Sequence, residues 1–315
     1  MTPKHEQTIK DVVIIGAGPA GLSALLWCAD LGLEVAIVER QPQPGGQLHA
    51  IHNPIKNYLG RESRDGREML NFFLAQTGEL LEPQLLSVGV SSVDAVAKQT
   101  SLSDGRTIST KAIILATGVR RRRLGIDGET EFAGRGILDS GSKERESVPG
   151  KRVVIVGGGD AALENALILA DHAAAITVVH RRNEFSGRRE FVDAASRNPK
   201  VKFIFNAELT RITGERSVES VEIKTAGNGR VRSIPTDAVL IRIGVQPNSE
   251  LVRDQAHLDE RGYVIVDRDS QTNIPGLYAV GDVANPTAPT LSTAAGSGAA
   301  AAKAAFSFLY PQNDR

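Results

Sequence analysis

Gly16, Gly18 and Gly21 stand at GxGxxG spacing in the run "DVVIIGAGPAGLSALLWCADLGLEVAIVER", and Glu39 closes that run. Glycines at this spacing allow a tight turn, bring backbone against a pyrophosphate, and let a helix pack closely on its strand. Pro19 and Ala20 fill the turn, and Arg40 follows the acid. A carboxylate at Glu39 can accept hydrogen bonds from both hydroxyls of an adenosine ribose. The pattern occurs again in "KRVVIVGGGDAALENALILADHAAAITVVHRR", where Gly157, Gly159 and Ala162 form GxGxxA and Asp160 and Ala161 open the helix. Counting on from Gly157 as far as Glu39 lies from Gly16 lands on His180, so the acid is replaced by His180-Arg181-Arg182. A 2′-phosphate repels a carboxylate and binds a guanidinium fork, so this copy is expected to prefer NADPH over NADH. Arg188 and Arg189 are candidates to extend that pocket.

The elements that must hold these residues follow from patterning. Val12–Ile15 is continuously apolar, as befits a parallel strand covered on both faces, and Leu22, Leu25, Leu26 and Ala29 recur at helical spacing. "KAIILATGV" follows the first copy and "DAVLIRIGVQPN" the second, each an apolar strand ending in glycine. The expected fold is α/β, with two Rossmann-like dinucleotide-binding domains. A lone glycine turn is weak evidence, but strand, turn, helix and terminal acid together favour a nucleotide over a Rossmann unit without a ligand.

Bulk properties remove several function classes. The chain has 315 residues, enough for two domains, and 41% of them are hydrophobic. Lys+Arg and Asp+Glu both total 37 and aromatics are 4%, so neither nucleic acid nor an anionic membrane is expected as a partner. Cys28 is the one cysteine, which excludes an internal disulfide, a CxxC pair and a thiolate metal cluster; no metal ligands are assigned. The polar leader "MTPKHEQTIKDVVIIG" has no h-region, so a cytoplasmic protein is the expectation. "STAAGSGAAAAKAAFSFLY" is read as a packed helix and not as a membrane span.

Several motifs together resemble the low-molecular-weight thioredoxin reductase family of FAD- and NAD(P)H-binding flavoproteins, over essentially the whole chain. They are "GAGPAG", "PGGQL", "NYLG", "ATG", "GGGDAA", "HRR" and "TNIPGLYAVGD". The resemblance implies that Asp282, after Gly281, binds the ribityl chain of FAD. It also implies that Gly46, Gln47, Leu48, Asn57, Thr117 and Gly118 line the FAD site, and that Thr290, Leu291 and Ser292 open a helix aimed at the flavin. A helix N-terminus there stabilises the negative charge that reduction places near N1. The small residues Ser292–Gly298 would let backbone come close. The resemblance further implies an FAD domain over 1–118 and 248–315 and an NADPH domain inserted over 119–247. Hinges would lie at "GVRRRR" and "GVQPN", the inserted domain would swing, and the chain would form homodimers.

Two departures bear on function. The family's CxxC falls on Ser140-Gly141-Ser142-Lys143 within "DSGSKE", and its RQA-like contact becomes Pro289-Thr290-Leu291. Attack on a disulfide needs a thiolate, which neither serine nor lysine supplies. In a related bacillithiol-disulfide-reductase group a cysteine sits in the first glycine turn, where this chain has Ala20. Hydride transfer from NADPH to flavin needs position and a suitable flavin pocket, so no catalytic side chain is assigned. The expected function is electron transfer from NADPH through FAD to an external acceptor, either a ferredoxin- or flavodoxin-type carrier or a small molecule. Ferredoxin/flavodoxin–NADP reductases of the thioredoxin-reductase-like type are the nearest group without CxxC. They usually add a C-terminal extension carrying an aromatic ring over the flavin; here Phe308 and Tyr310 are available but the extension is not seen. The alternatives are an oxidase or reductase of a small organic substrate, and a flavoprotein sensor or scaffold. Arg120–Arg123 reads as a solvated linker in preference to a docking patch for an acidic carrier, and Lys143 as a solvated loop residue in preference to a cation beside the flavin.

Overall fold

The computed structural model describes residues 9–81, 85–227 and 229–311; most of the polar leader lies outside them. The chain forms two compact units, one of Met1–Arg120 with Gln246–Arg315 and one of Arg121–Val245. The first opens with β1 (Lys10–Ile15), α1 (Pro19–Asp30), β2 (Val35–Glu39), α2 (Gly66–Leu81), β3 (Leu85–Leu86), β4 (Val90–Asp94), β5 (Gln99–Leu102) and β6 (Thr107–Leu115). After β7 (Val119–Arg121) come β8 (Ile137–Leu138), α3 (Gly141–Glu144), β9 (Arg152–Val156), α4 (Asp160–Ala170), β10 (Ala175–Val179) and α5 (Arg189–Arg197). The second unit continues with β11 (Val201–Ile204), β12 (Ala207–Thr213), β13 (Ser220–Thr225), β14 (Val231–Pro235) and β15 (Ala238–Ile241). After β16 (Val245–Pro247) the chain completes the first unit with β17 (Leu277–Ala279) and α6 (Leu291–Leu309).

The two units share one plan. In the first, β3, β2, β1 and β6 run parallel and β17 joins the C-terminal half of β6, while β5 and β4 extend its N-terminal half antiparallel. In the second, β11-β10-β9-β15-β8 is parallel throughout, and β12, β13 and β14 form a separate antiparallel sheet. The fifth parallel strand is β17 in the first unit, from the end of the chain. In the second unit it is β8, which precedes that unit's glycine turn.

Burial explains why these segments are strands and helices. Val12, Val13 and Ile14 have no exposure, because a parallel strand is covered on both faces. α1 buries Leu22, Leu25 and Cys28 together with Ala301, Ala302 and Ala305 of α6. α6 is packed in the first unit, and among the described residues no helix is long and apolar enough to cross a membrane.

The closeness of α6 to α1 depends on Gly298. A Cβ there would lie 2.2 Å from the Ala20 carbonyl oxygen and 3.0 Å from the Ala24 nitrogen, both fixed backbone atoms. Ser23 Oγ ties the same crossing by donating to the Ala295 carbonyl at 2.6 Å. Gly296, two positions earlier, faces open space. Gly298→Val is therefore expected to lower unfolding free energy by roughly 2 kcal/mol or more through overpacking. Gly296→Ala should raise it by about 0.5–1 kcal/mol through helix propensity. Urea denaturation of both variants checks the pair, and equal effects would contradict the crossing.

Candidate functional site

The first glycine turn is shaped by contacts that leave no room for side chains. Gly16 has φ +106°, and a Cβ on it would stand 2.5 Å from the Ala116 carbonyl oxygen at the end of β6. A Cβ on Gly21 would lie 1.9 Å from the Gly16 carbonyl oxygen, so α1 starts against the turn itself. Gly18 caps α1 with no side-chain hydrogen bond and Pro19 occupies its first turn, so no side chain competes for the free N–H groups there. Gly46 faces Gly18, its added Cβ 3.1 Å from the Gly18 Cα, and the two leave a cradle of bare backbone. Such a cradle suits a pyrophosphate at a helix N-terminus.

Glu39 is 8% exposed at the end of β2. Its Oε2 accepts from the Ala17 N–H at 2.9 Å and its Oε1 from the Gln41 N–H at 2.8 Å. Each oxygen keeps a lone pair for a ribose hydroxyl. Asp282 is half-buried, and desolvation pushes its carboxyl above the usual aspartate range. It makes no side-chain hydrogen bond among the described residues, so a hydroxylated ligand would supply donors that the protein does not. Gly281, at φ +68°, lies against Ala20, and its N–H donates to Ser297 Oγ at 3.0 Å. Thr290 caps α6 in a capping box with Thr293, leaving Leu291 in the first turn and Ser292 exposed. Asp282, α6 and the glycine turn are thus brought together by the α1–α6 crossing, and the residues fit FAD.

The other first-unit positions divide by what their side chains already touch. Leu48 is buried in the core with Met69 and Leu70, so only its backbone is available. Gln47 donates through Nε2 to the Val119 carbonyl at 2.9 Å. Thr117 Oγ1 donates to the Asn248 carbonyl at 2.7 Å, and the Asn248 N–H donates to the carbonyl of Gly118 at 3.0 Å. Arg40 and Asn57 are exposed.

The second glycine turn repeats the geometry with different chemistry after it. A Cβ on Gly157 would lie 2.1 Å from the Arg242 carbonyl oxygen, and Gly159 caps α4 with no side-chain bond. Asp160 and Ala161 open α4. His180 turns inward: it is 8% exposed, a Cβ on Gly158 would meet its ring at 2.3 Å, and it lies 5.5 Å from the Phe185 ring. Burial is the chief cause that lowers its pKa, and Nε2 has no partner. Arg181 and Arg182 are exposed and hold no ion pair among the described residues. Arg188 is already engaged: its N–H and Nε donate to Asp160 at 2.6 and 2.8 Å, and it pairs with Glu190 at 2.9 Å. Arg189 pairs with Asp193 at 3.8 Å, so among the described residues the cationic groups without an ion pair here are those of Arg181 and Arg182, while the sequence grouped all four arginines with His180.

The segment Asp139–Glu144 is internally satisfied. Glu144 Oε2 accepts from the N–H groups of Asp139 at 2.7 Å and Ser140 at 2.8 Å, and the Gly141 N–H donates to Asn165 Oδ1 at 3.0 Å. Ser140 caps the short α3, and the Lys143 side chain is exposed. The arginine run after Gly118 is more ordered than a solvated linker. Arg120 donates to Asn248 Oδ1 at 2.6 Å and pairs with Glu250 at 2.5 Å, while Arg122 donates through Nε to the Val245 carbonyl at 2.9 Å. Sequence reading placed Ser297 among the small residues of 292–298 but missed that its Oγ accepts from Gly281, and it missed Arg242, whose carbonyl closes on Gly157; nothing local marks either contact.

The chain matches the model of the pyridine nucleotide-disulphide oxidoreductase family over residues 10–301. It is 34% identical to a thioredoxin reductase of Mycolicibacterium smegmatis over 310 residues, 98% of this chain and 99% of that one. To a thioredoxin reductase of Listeria innocua it is 32% identical over 305 residues, 96% of this chain and 95% of that one. The solved structure of Lactococcus lactis thioredoxin reductase superposes with a TM-score of 0.81 at 33% identity, covering 95% of this chain and 99% of that one. A bacillithiol disulfide reductase from Bacillus cereus shares the fold, with a TM-score of 0.78 at 19% identity, covering 95% of this chain and 99% of that one.

Cys28 has no exposure, and burial raises its thiol to about 12. It is neutral and shielded at neutral pH, unlike a reactive thiolate. Ellman's reagent is expected to detect almost no thiol in the native protein and one per chain after denaturation. Rapid native labelling would contradict the burial.

Proposed function

The chain belongs to the pyridine nucleotide-disulphide oxidoreductase family, and from that premise we propose that it passes electrons from NADPH through FAD to an acceptor outside the chain. One observation carries the reading: the only cysteine is buried in α1 with its thiol pushed up to about 12. A relay through a cysteine pair therefore has no atoms in this chain. Ser140-Gly141-Ser142-Lys143, where the family resemblance would place the cysteine pair, contains no redox-active group. The acceptor is accordingly a ferredoxin- or flavodoxin-type carrier or a small molecule, even though the curated relatives reported above are named for thioredoxin.

Each unit then has a distinct task. The first, with Gly16, Gly18, Gly21, Glu39, Gly46 and Asp282, holds FAD, which accepts a hydride and releases electrons singly or in pairs. Glu39 orients the adenosine ribose, and Asp282 accepts from ribityl hydroxyls. The N-terminus of α6, capped by Thr290, would stabilise the negative charge of a reduced flavin held against it. The second unit, with Gly157, Gly159 and Asp160, holds NADPH on the bare first turn of α4. Arg181 and Arg182 take the 2′-phosphate, because both are exposed and hold no ion pair among the described residues. His180 supports the turn through its contact with Gly158, and Arg188 steadies Asp160. The division follows 1–118 with 248–315 for FAD and 119–247 for NADPH.

The reading is tested by mixing the flavin-loaded protein anaerobically with NADPH or NADH and following flavin absorbance. NADPH is expected to bleach it at lower concentration than NADH; no bleaching with either nucleotide would overturn the proposal. Arg181→Gln with Arg182→Gln should raise the KM for NADPH by roughly 10–100-fold, as expected for lost charge-assisted hydrogen bonds, with little change for NADH. Turnover with thioredoxin should be absent and turnover with an artificial quinone present. Thioredoxin reduction by the purified chain would refute the external-acceptor reading.

A further inference from the structure

In the second unit two guanidinium groups converge on one backbone oxygen. Arg242 donates through Nη2 to the Asp139 carbonyl at 2.8 Å and through Nη1 to the Ile241 carbonyl at 2.8 Å. Arg121 donates through Nη1 to the same Asp139 carbonyl. Neither holds an ion pair among the described residues, whereas Arg120, Arg152, Arg188 and Arg211 each hold a carboxylate. Among the described residues, Nε and Nη2 of Arg121 and Nε of Arg242 have no protein acceptor. Arg242 is half-buried, and burial with the adjacent Arg121 charge lowers its pKa to about 10, against the opposing pull of Asp139 and Glu144.

The position is one where sheets of this type hold ligands. Asp139 follows the carboxyl end of β8 and Arg242 that of β15, and open α/β sheets bind ligands beyond those ends. The Arg242 N–H donates to the Val156 carbonyl at 2.7 Å, which sets the residue beside the second glycine turn. In the strand order β11-β10-β9-β15-β8, Arg181 and Arg182 follow β10, on the other side of β9. The two basic groups are therefore separated by the glycine turn, and this pair is not part of the 2′-phosphate pocket.

Local charge selects the ligand. Asp139 and Glu144 are the carboxylates whose charges act on Arg242, against the two cations Arg121 and Arg242, so the cluster has no large excess of positive charge. A monoanion fits that balance better than a phosphate dianion, and a planar carboxylate matches a guanidinium fork. We propose that Arg121 and Arg242 form a subsite for the carboxylate of a small-molecule second substrate, bound through the N–H groups that the Asp139 and Ile241 carbonyls leave unused. Describing the ligand as a second substrate rests on the function proposed above; binding itself does not.

The probe is benzoate, followed by saturation-transfer NMR on the flavin-loaded protein with and without saturating NADP⁺ at constant ionic strength. Benzoate is expected to bind saturably in both conditions, with affinity at least 10-fold lower in Arg121→Gln and in Arg242→Gln. Unchanged affinity in the variants, absence of binding to the wild-type chain, or displacement of benzoate by NADP⁺ would each overturn the subsite. Flavin content and melting temperature establish that each variant folds, and the exposed Arg121 decides the matter if Arg242→Gln does not. The assay needs no turnover, so failure of NADPH to bleach the flavin would refute the proposed function and leave this result to stand by itself.

Discussion

A backbone carbonyl pressed against a glycine at the end of a parallel strand fixes the spacing of both units. At Gly16 that carbonyl belongs to Ala116 after β6; at Gly157 it belongs to Arg242 after β15. Any side chain there would meet an atom fixed by the sheet at 2.5 Å or 2.1 Å respectively, and the strand could not yield without losing its ladder. The contact draws the central strand and its neighbour together at their carboxyl ends. It also starts α1 and α4 close to the sheet, with first turns that no side chain caps. Two unsatisfied helix N-termini, one in each unit, are the consequence, and anionic ligands are what such termini accommodate.

Beyond that shared frame, burial separates the chemistry of the copies. Glu39 is folded in, fixed by two backbone N–H groups, and remains an acceptor. At the matching place His180 is folded in, where burial lowers its pKa, while Arg181 and Arg182 are left in solvent. A charge without a protein partner costs little in water and much in the interior, so cations available to a ligand occur on the exposed side of the strand end. Arg188 illustrates the opposite case. It lies close to α4 but spends its guanidinium on Asp160 and Glu190, which makes it part of the scaffold.

The segment Asp139–Glu144 satisfies its own backbone through Glu144, Ser140 and Asn165, with no thiol in it. What makes it distinctive is the pair of arginines on the Asp139 carbonyl. Arg120, Arg152, Arg188 and Arg211 each hold a carboxylate, whereas this pair meets on a backbone carbonyl instead. Electrons that leave a flavin in this protein have no cysteine pair to receive them, since Cys28 is the one cysteine of the sequence.

Much of the frame was legible because its determinants are local. The glycine spacings, the apolar run Val12–Ile15 and the helical repeat of Leu22 and Leu25 specify strand, turn and helix within a few residues of themselves. The count from Gly157 located the basic end of β10 for the same reason. Other features depend on partners distant in sequence. The small residues of α6 foretold close approach, but only the fold shows that Gly298 gives that space to the α1 backbone at Ala20. "HRR" reads as one basic cluster, yet the twist of the chain after β10 puts His180 in the core and its neighbours outside. Nothing around Arg242 or Arg121 marks them as a pair, since they meet only when β15 and β8 lie side by side and the carbonyl of Asp139 comes between them. By itself the sequence determined the two nucleotide-binding frames and the lack of a second thiol, because both follow from residue type and short-range spacing. The tertiary structure decided which charges are spent and which stay free, because that depends on burial and on neighbours brought in by the sheet.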